Sequence, residues 1–257
     1  MLTQAKALAT AIFLAPALFV AFPAAAQPLS GTAEVSLGDP RAPLTIIEYA
    51  SMSCPHCAEF HNFTLPKLKA EYIDTGKVRL IFREYPLDQP AVEGAILARC
   101  SGAQRYFPFL EVMFKNQATW VVATDRLARL RQIGQLGGLS AADFDACLAD
   151  QTLRTAILNT RLEGERQFDV ASTPTFIVGT AVIEGALPWE LFKAAVEDAL
   201  AGRPVKNSRG ISSSAAGAAA GGEAFLYISL TVIALLIAAG GYFFFIRRPA
   251  ARPDGRA

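Results

Sequence analysis

Apolar positions along the chain change period several times, and each change marks an element. "PLTIIEYAS" (residues 43–51) is an apolar, β-branched run, which predicts a buried strand. "CAEFHNFTLPKLKAEYID" (residues 57–74) then places Phe60, Phe63, Leu65, Leu68 and Tyr72 at helical spacing, with Pro66 expected to kink the helix. After Gly76, "KVRLIFREYPL" alternates around Val78, Leu80 and Phe82 and reads as a second strand. Strand, helix and strand at this length make a βαβ unit with a parallel pair. Residues 89–168 turn helical, in five predicted segments at 90–101, 104–117, 124–135, 140–149 and 151–167, with Asp125, Ser140 and Asp150 as N-terminal caps or first-turn acids. "TPTFIVG" and "AVIEG", joined at Gly179-Thr180, predict a hairpin, and "PWELFKAAVEDALAG" (residues 188–202) predicts a closing amphipathic helix. Residues 27–42 read as a loose leader. The order β-α-β, helical block, β-β-α is that of a layered α/β domain over residues 43–202, with a helical insertion at about 89–168.

The two ends carry a different pattern. Residues 1–26 hold Met1 and Lys6, an apolar run from Ala7 to Phe22, and Ala24-Ala25-Ala26. That is the layout of a secretory signal peptide with an A-x-A cleavage site and Gln27 as the new N-terminus; an uncleaved anchor is the alternative. Residues 203–224 are mostly small and polar and read as a flexible tether reaching roughly 25 Å. Residues 225–246 form an uncharged stretch that spans roughly 33 Å as a helix, enough for a bilayer core. Behind it stand Arg247, Arg248, Arg252 and Arg256 against Asp254, so the positive-inside rule places the tail 247–257 in the cytoplasm. A buried core helix is the bland reading of 225–246. The expected arrangement is a bacterial inner-membrane protein with its folded body in the periplasm, where disulfides persist.

Composition adds little: a net charge of +1 gives no electrostatic case for nucleic acid. The chemistry lies in "SCPHC", residues 53–57. Cys54 falls where the first strand meets the following helix. Unpaired N–H groups and the helix dipole favour an anion there, so its thiol is expected to ionise easily. A protonated His56 between the sulfurs would add positive charge, and Cys57, one turn on, should be buried. Stabilising the thiolate stabilises the reduced form and makes the disulfide oxidising. A zinc site would need a second tight pair, which Cys100, Cys147, His56 and His61 do not form. A purely structural C-x-x-C disulfide is the other alternative. No metal and no cofactor are expected.

"IIEYASMSCPHCAEFH" and "STPTFIVG" resemble the DsbA family of thioredoxin-fold thiol:disulfide oxidoreductases over about residues 43–202. The resemblance implies a thioredoxin-like mixed sheet with an inserted helical subdomain. It implies that Cys54 is an exposed nucleophile and Cys57 the resolving thiol, and that Pro174 is cis beside the pair. Thr173 would present its backbone to a client strand, with Pro55 on the same path. Glu48, six residues before Cys54, would be a buried acid exchanging a proton with Cys57. The implied partners are reduced, unfolded client proteins and a quinone-linked membrane oxidase as reoxidant. If Cys54 and Cys57 are the redox pair, Cys100 and Cys147 remain as a second bridge of the kind some relatives carry; two separate buried thiols are the alternative. The pattern also departs from the family. His61 stands seven residues after Cys54, where well-known members carry an acid, and is either a second pH-sensitive group or a plain helix-surface residue. Thr173 also occurs in isomerase and reductase relatives, which leaves a disulfide reductase or isomerase, or a membrane-anchored binding module, as competing functions.

Overall fold

The computed structural model describes residues 28–207. The signal peptide expected at 1–26, most of the tether, the apolar span 225–246 and the tail 247–257 lie outside them. Among the described residues no helix is long and apolar enough to cross a membrane.

Five strands, β1 (Val35–Leu37), β2 (Leu44–Ala50), β3 (Val78–Glu84), β4 (Thr175–Val178) and β5 (Ala181–Glu184), form one mixed sheet in the order β1-β3-β2-β4-β5. β2 and β3 are parallel, as a βαβ unit requires, and the other neighbours are antiparallel. The leader expected at 27–42 is in part structured. β1 pairs with β3, Val35 opposite Phe82, and three residues are too short a run to show a period. The domain also runs past the expected end at 202, because Val205 is buried with Phe192 and Val196.

The helical run after the C-P-H-C motif is not one regular helix. It comprises α1 (Pro55–Glu59), a π turn (Phe60–Thr64), α2 (Leu65–Leu68) and a second π turn (Lys69–Ile73). Pro66 has no N–H for the ladder, and the chain widens to i→i+5 bonds on either side. A π turn takes an extra residue, so a stripe counted at α spacing slips: Phe60 and Leu68 are fully buried, while Phe63 is 68% exposed.

The insertion comprises α3 (Gln89–Cys100), α4 (Tyr106–Lys115), α5 (Gln117–Trp120), α6 (Arg126–Leu136), α7 (Ala141–Ala149) and α8 (Gln151–Phe168). The side chains of Asp125, Ser140 and Asp150 each accept a first-turn N–H at the predicted cap, and Asp88 does the same for α3. The closing helix α9 is Trp189–Leu200. Phe60, Leu68, Phe192 and Val196 pack with Ile46, Leu80 and Phe176 in one core cluster. Elsewhere on the sheet α8 comes so close that a Cβ at Gly164 would lie 2.6 Å from the Tyr49 ring. A further core, centred on Trp120, Phe114 and Phe144, fills the insertion and reaches Cys54 and Cys57. Buried Arg99 (α3) locks this block to the sheet, donating to Glu84 Oε1 (2.6 Å) and Oε2 (2.8 Å) on β3, while the Tyr106 hydroxyl donates to Oε1 (2.7 Å). A buried ion pair needs this full set of partners.

Candidate active site

Cys54 is the N-cap of α1, extended at φ −79° and ψ 121°, with Pro55 at the first helical position. Proline suits that place, where no N–H is needed and its fixed φ is already helical. The free N–H groups of the first turn lie at this end of the helix, although the Cys54 side chain makes no well-formed cap hydrogen bond to them. The Cys54 thiol is held well below its ordinary range, at about 5. The largest cause is a hydrogen bond from the Cys57 side chain. Burial opposes it, and the Thr173 side chain and the backbone N–H groups of Cys57 and His56 add to it. Buried Thr173 Oγ1 makes no well-formed hydrogen bond, so its pull is weaker than a full donor's. Cys57 is completely buried, and its thiol is pushed well above the ordinary value, first by desolvation, then by the Cys54 sulfur and the Glu48 carboxylate. One sulfur of the pair therefore ionises at neutral pH and the other does not.

Two expectations need correction. Cys54 is not openly exposed: it keeps only 7% of its surface, and its sulfur lies 3.3 Å from the Thr173 carbonyl oxygen, to which the protonated thiol donates. The recess follows from the insertion core closing on the first turn of α1. Nor does the imidazole of His56 sit between the sulfurs. It points to solvent beside Glu59, with Nδ1 3.4 Å from Oε2, and His56 serves Cys54 through its backbone N–H instead. A side chain at the second helical position projects outward while the amides converge on the cap.

The Thr173–Pro174 peptide is cis, and both residues are buried beside Cys54 where β4 begins. Glu48 lies on β2, between Phe82 of β3 and Phe176 of β4 in register, and is completely buried. Its Oε1 meets His61 Nε2 at 3.0 Å, and its Oε2 has no hydrogen-bond partner. His61 is not a helix-surface residue. It is 6% exposed, stacked on Phe114 at 4.1 Å between ring centroids. The π turn Phe60–Thr64, together with Phe114 from α4, places it there. Cys54 acts on Cys57, the charge of Glu48 reaches Cys57, and His61 pairs with Glu48 in the buried interior.

Cys100 (α3) and Cys147 (α7) are joined, S–S 2.10 Å, in the insertion. Among the described residues no three His, Cys, Asp or Glu side chains converge as a metal site would require. Gln117, which the sequence did not single out, donates from Nε2 to the carbonyls of both Met52 and Cys54 at 2.9 Å. No local motif marks such a residue, because its partners lie more than sixty positions away.

A family model described as thioredoxin matches residues 30–198. The chain belongs to the thioredoxin family. Within that family it is DsbA-like. The structure of Wolbachia pipientis alpha-DsbA1 superposes with a TM-score of 0.63 at 30% identity, covering 68% of this chain and 94% of that one. BdbD from Bacillus subtilis, in its oxidised form, superposes at 0.60 with 20% identity over 69% and 97% of the two chains, a likeness of fold. A Rickettsia typhi protein assigned as a protein-disulfide oxidoreductase is 36% identical over 146 residues, 56% of this chain and 52% of that protein. The chain spans about half the length of several curated relatives it matches. The thioredoxin-like mixed sheet with a helical insertion, expected from the sequence, is the observed fold.

Proposed function

We propose that this chain is a thiol:disulfide oxidoreductase that introduces disulfides into exported proteins through Cys54 and Cys57. One arrangement carries the reading: Cys54 caps α1 beside cis Pro174 with its thiol lowered to about 5, while Cys57 is completely buried with its thiol raised. In the oxidised enzyme a client thiolate attacks Cys54 Sγ. The Cys54–Cys57 bond breaks, its electron pair goes to Cys57 Sγ, and Cys57 takes up a proton, with the free Oε2 of Glu48 as the nearby exchange group. The client's second thiolate then attacks its own sulfur in the mixed disulfide, and Cys54 leaves as the stabilised thiolate. The client has lost two electrons and the enzyme has gained them. The easily ionised leaving group drives this direction.

Reoxidation passes the two electrons to a quinone-linked membrane oxidase. The signal-like segment 1–26 and the apolar span 225–246 support a domain exported to the bacterial periplasm and tethered to the inner membrane. Clients bind extended beside Thr173 and Pro174. Equilibrating the pair with glutathione tests the direction. A potential in the range of strong oxidants is expected; a value near that of thioredoxin would assign the chain to disulfide reduction instead.

A further inference from the structure

We propose that Gln117 is a positioning residue of the redox pair: its side-chain amide clamps the Met52 and Cys54 carbonyls and so holds the first turn of α1 in the orientation that stabilises the Cys54 thiolate. This rests on the reading of Cys54–Cys57 as the redox pair.

The clamp is unambiguous in direction. Both partners are carbonyl oxygens at 2.9 Å, so only the NH2 end of the amide can face them, one N–H to each. Gln117 is buried at 7% exposure and opens α5, a single turn after α4. Three residues on, Trp120 anchors that turn: it is fully buried and its indole N–H donates to the Met113 carbonyl at 2.9 Å. The amide is thus held by the insertion, not by the strand or helix it serves. On the receiving side, the Cys54 N–H is tied to the Ser51 carbonyl (3.1 Å) and the Cys54 carbonyl also accepts from Ala58 (3.2 Å). Gln117 completes the set that fixes the peptides on either side of Ser53 and Cys54.

Two effects follow for the sulfur. Donors on the Cys54 carbonyl offset its negative end, which otherwise repels a negative charge on the same residue. The fixed peptide also holds the first turn of α1, with Cys54 as its N-cap and the His56 and Cys57 N–H groups at that end, in place beside the sulfur. Both effects matter more for a thiolate than for a neutral disulfide sulfur, because charge-assisted hydrogen bonds are the stronger ones. A helix-insertion residue remote in sequence therefore sets how oxidising the pair is.

The test uses the full chain with Gln117→Met, which keeps the shape of the side chain and removes both donors. Thiolate absorbance against pH and the glutathione equilibrium are read on wild type, Gln117→Met and Leu130→Ala, the last a core truncation in the insertion. Gln117→Met should raise the apparent Cys54 pKa by about one unit and shift the glutathione equilibrium about tenfold toward the disulfide. Leu130→Ala should lower stability and leave both readouts in place. A folded Gln117→Met protein with wild-type values overturns the inference. A wild-type pair that does not exchange with glutathione overturns the functional reading instead. Should Gln117→Met not fold, the side-chain amide of Gln117 is followed by nuclear magnetic resonance in reduced wild type. Its protons should shift with the midpoint of the Cys54 titration, and a flat response sinks the proposal.

Discussion

At the scale of single residues, the site is defined by an asymmetry between two chemically identical groups. Cys54 and Cys57 are one helical turn apart. The first sits where backbone N–H groups lack partners, and the second sits where no water reaches. Helix-end amides favour the charged form and burial disfavours it, so the two thiols move in opposite directions. Glu48 adds a group whose own satisfaction is incomplete, with Oε1 on His61 and Oε2 free. Buried polar atoms are almost always paired, and the charge of Glu48 reaches the Cys57 thiol, so the proposed proton exchange between the two is open to direct test. Glu48→Gln keeps the shape and removes the exchangeable proton. It should slow the Cys57-dependent step about a hundredfold in single-turnover measurements with a model dithiol, without slowing thiolate formation at Cys54. An unchanged rate would remove Glu48 from the mechanism.

At the scale of elements, the sequence reports regular pieces and misses their irregularities. The strand at Leu44–Ala50 and the caps at Asp125, Ser140 and Asp150 follow from local chemistry and stand where the pattern puts them. Pro66 announces a disturbance, but not that two π turns would absorb it and turn His61 inward. β1 is too short to declare itself and exists because β3 offers an edge. The link between α3 and α7 is likewise an element-level fact: the Cys100–Cys147 bond closes a loop of 47 positions. In the chain-entropy model a loop of that size contributes roughly 4 kcal/mol. Replacing both cysteines by alanine should lower unfolding stability by about that amount in denaturant titrations. Exchange at Cys54 should persist, because the bridge joins α3 to α7 and not to the start of α1, which holds the pair. Loss of exchange in a folded double variant would show that the bridge also shapes the site.

For the whole molecule, the two shifted thiols make folding depend on pH in the reduced state. Between about 5 and the ordinary thiol value of about 8.5, the unfolded chain binds one proton more than the native state, because native Cys54 is already ionised. Stability of the reduced protein therefore rises with pH across that window, and the gain is lost as pH falls through 5. Above it the sign reverses. Unfolded Cys57 ionises while native Cys57 remains protonated, and the advantage shrinks again. Urea titrations of reduced against oxidised protein at several pH values should show the difference between them growing from pH 5 toward pH 8. A pH-independent difference would mean that Cys54 has ordinary acidity.

The sequence by itself determined the chain order of four of the five strands, most of the helical insertion, and the C-P-H-C pair as the candidate chemistry. These depend on period, caps and the C-P-H-C spacing, all of which act over a few neighbouring residues. Only the tertiary structure decided that Cys54 is recessed, that the His56 ring faces solvent while its amide serves the sulfur, that His61 pairs with Glu48, and that Gln117 holds the loop. Each of these is a contact or a burial set by packing between segments far apart in the chain, and hydrophobic period carries no record of which distant segment will meet a given side chain.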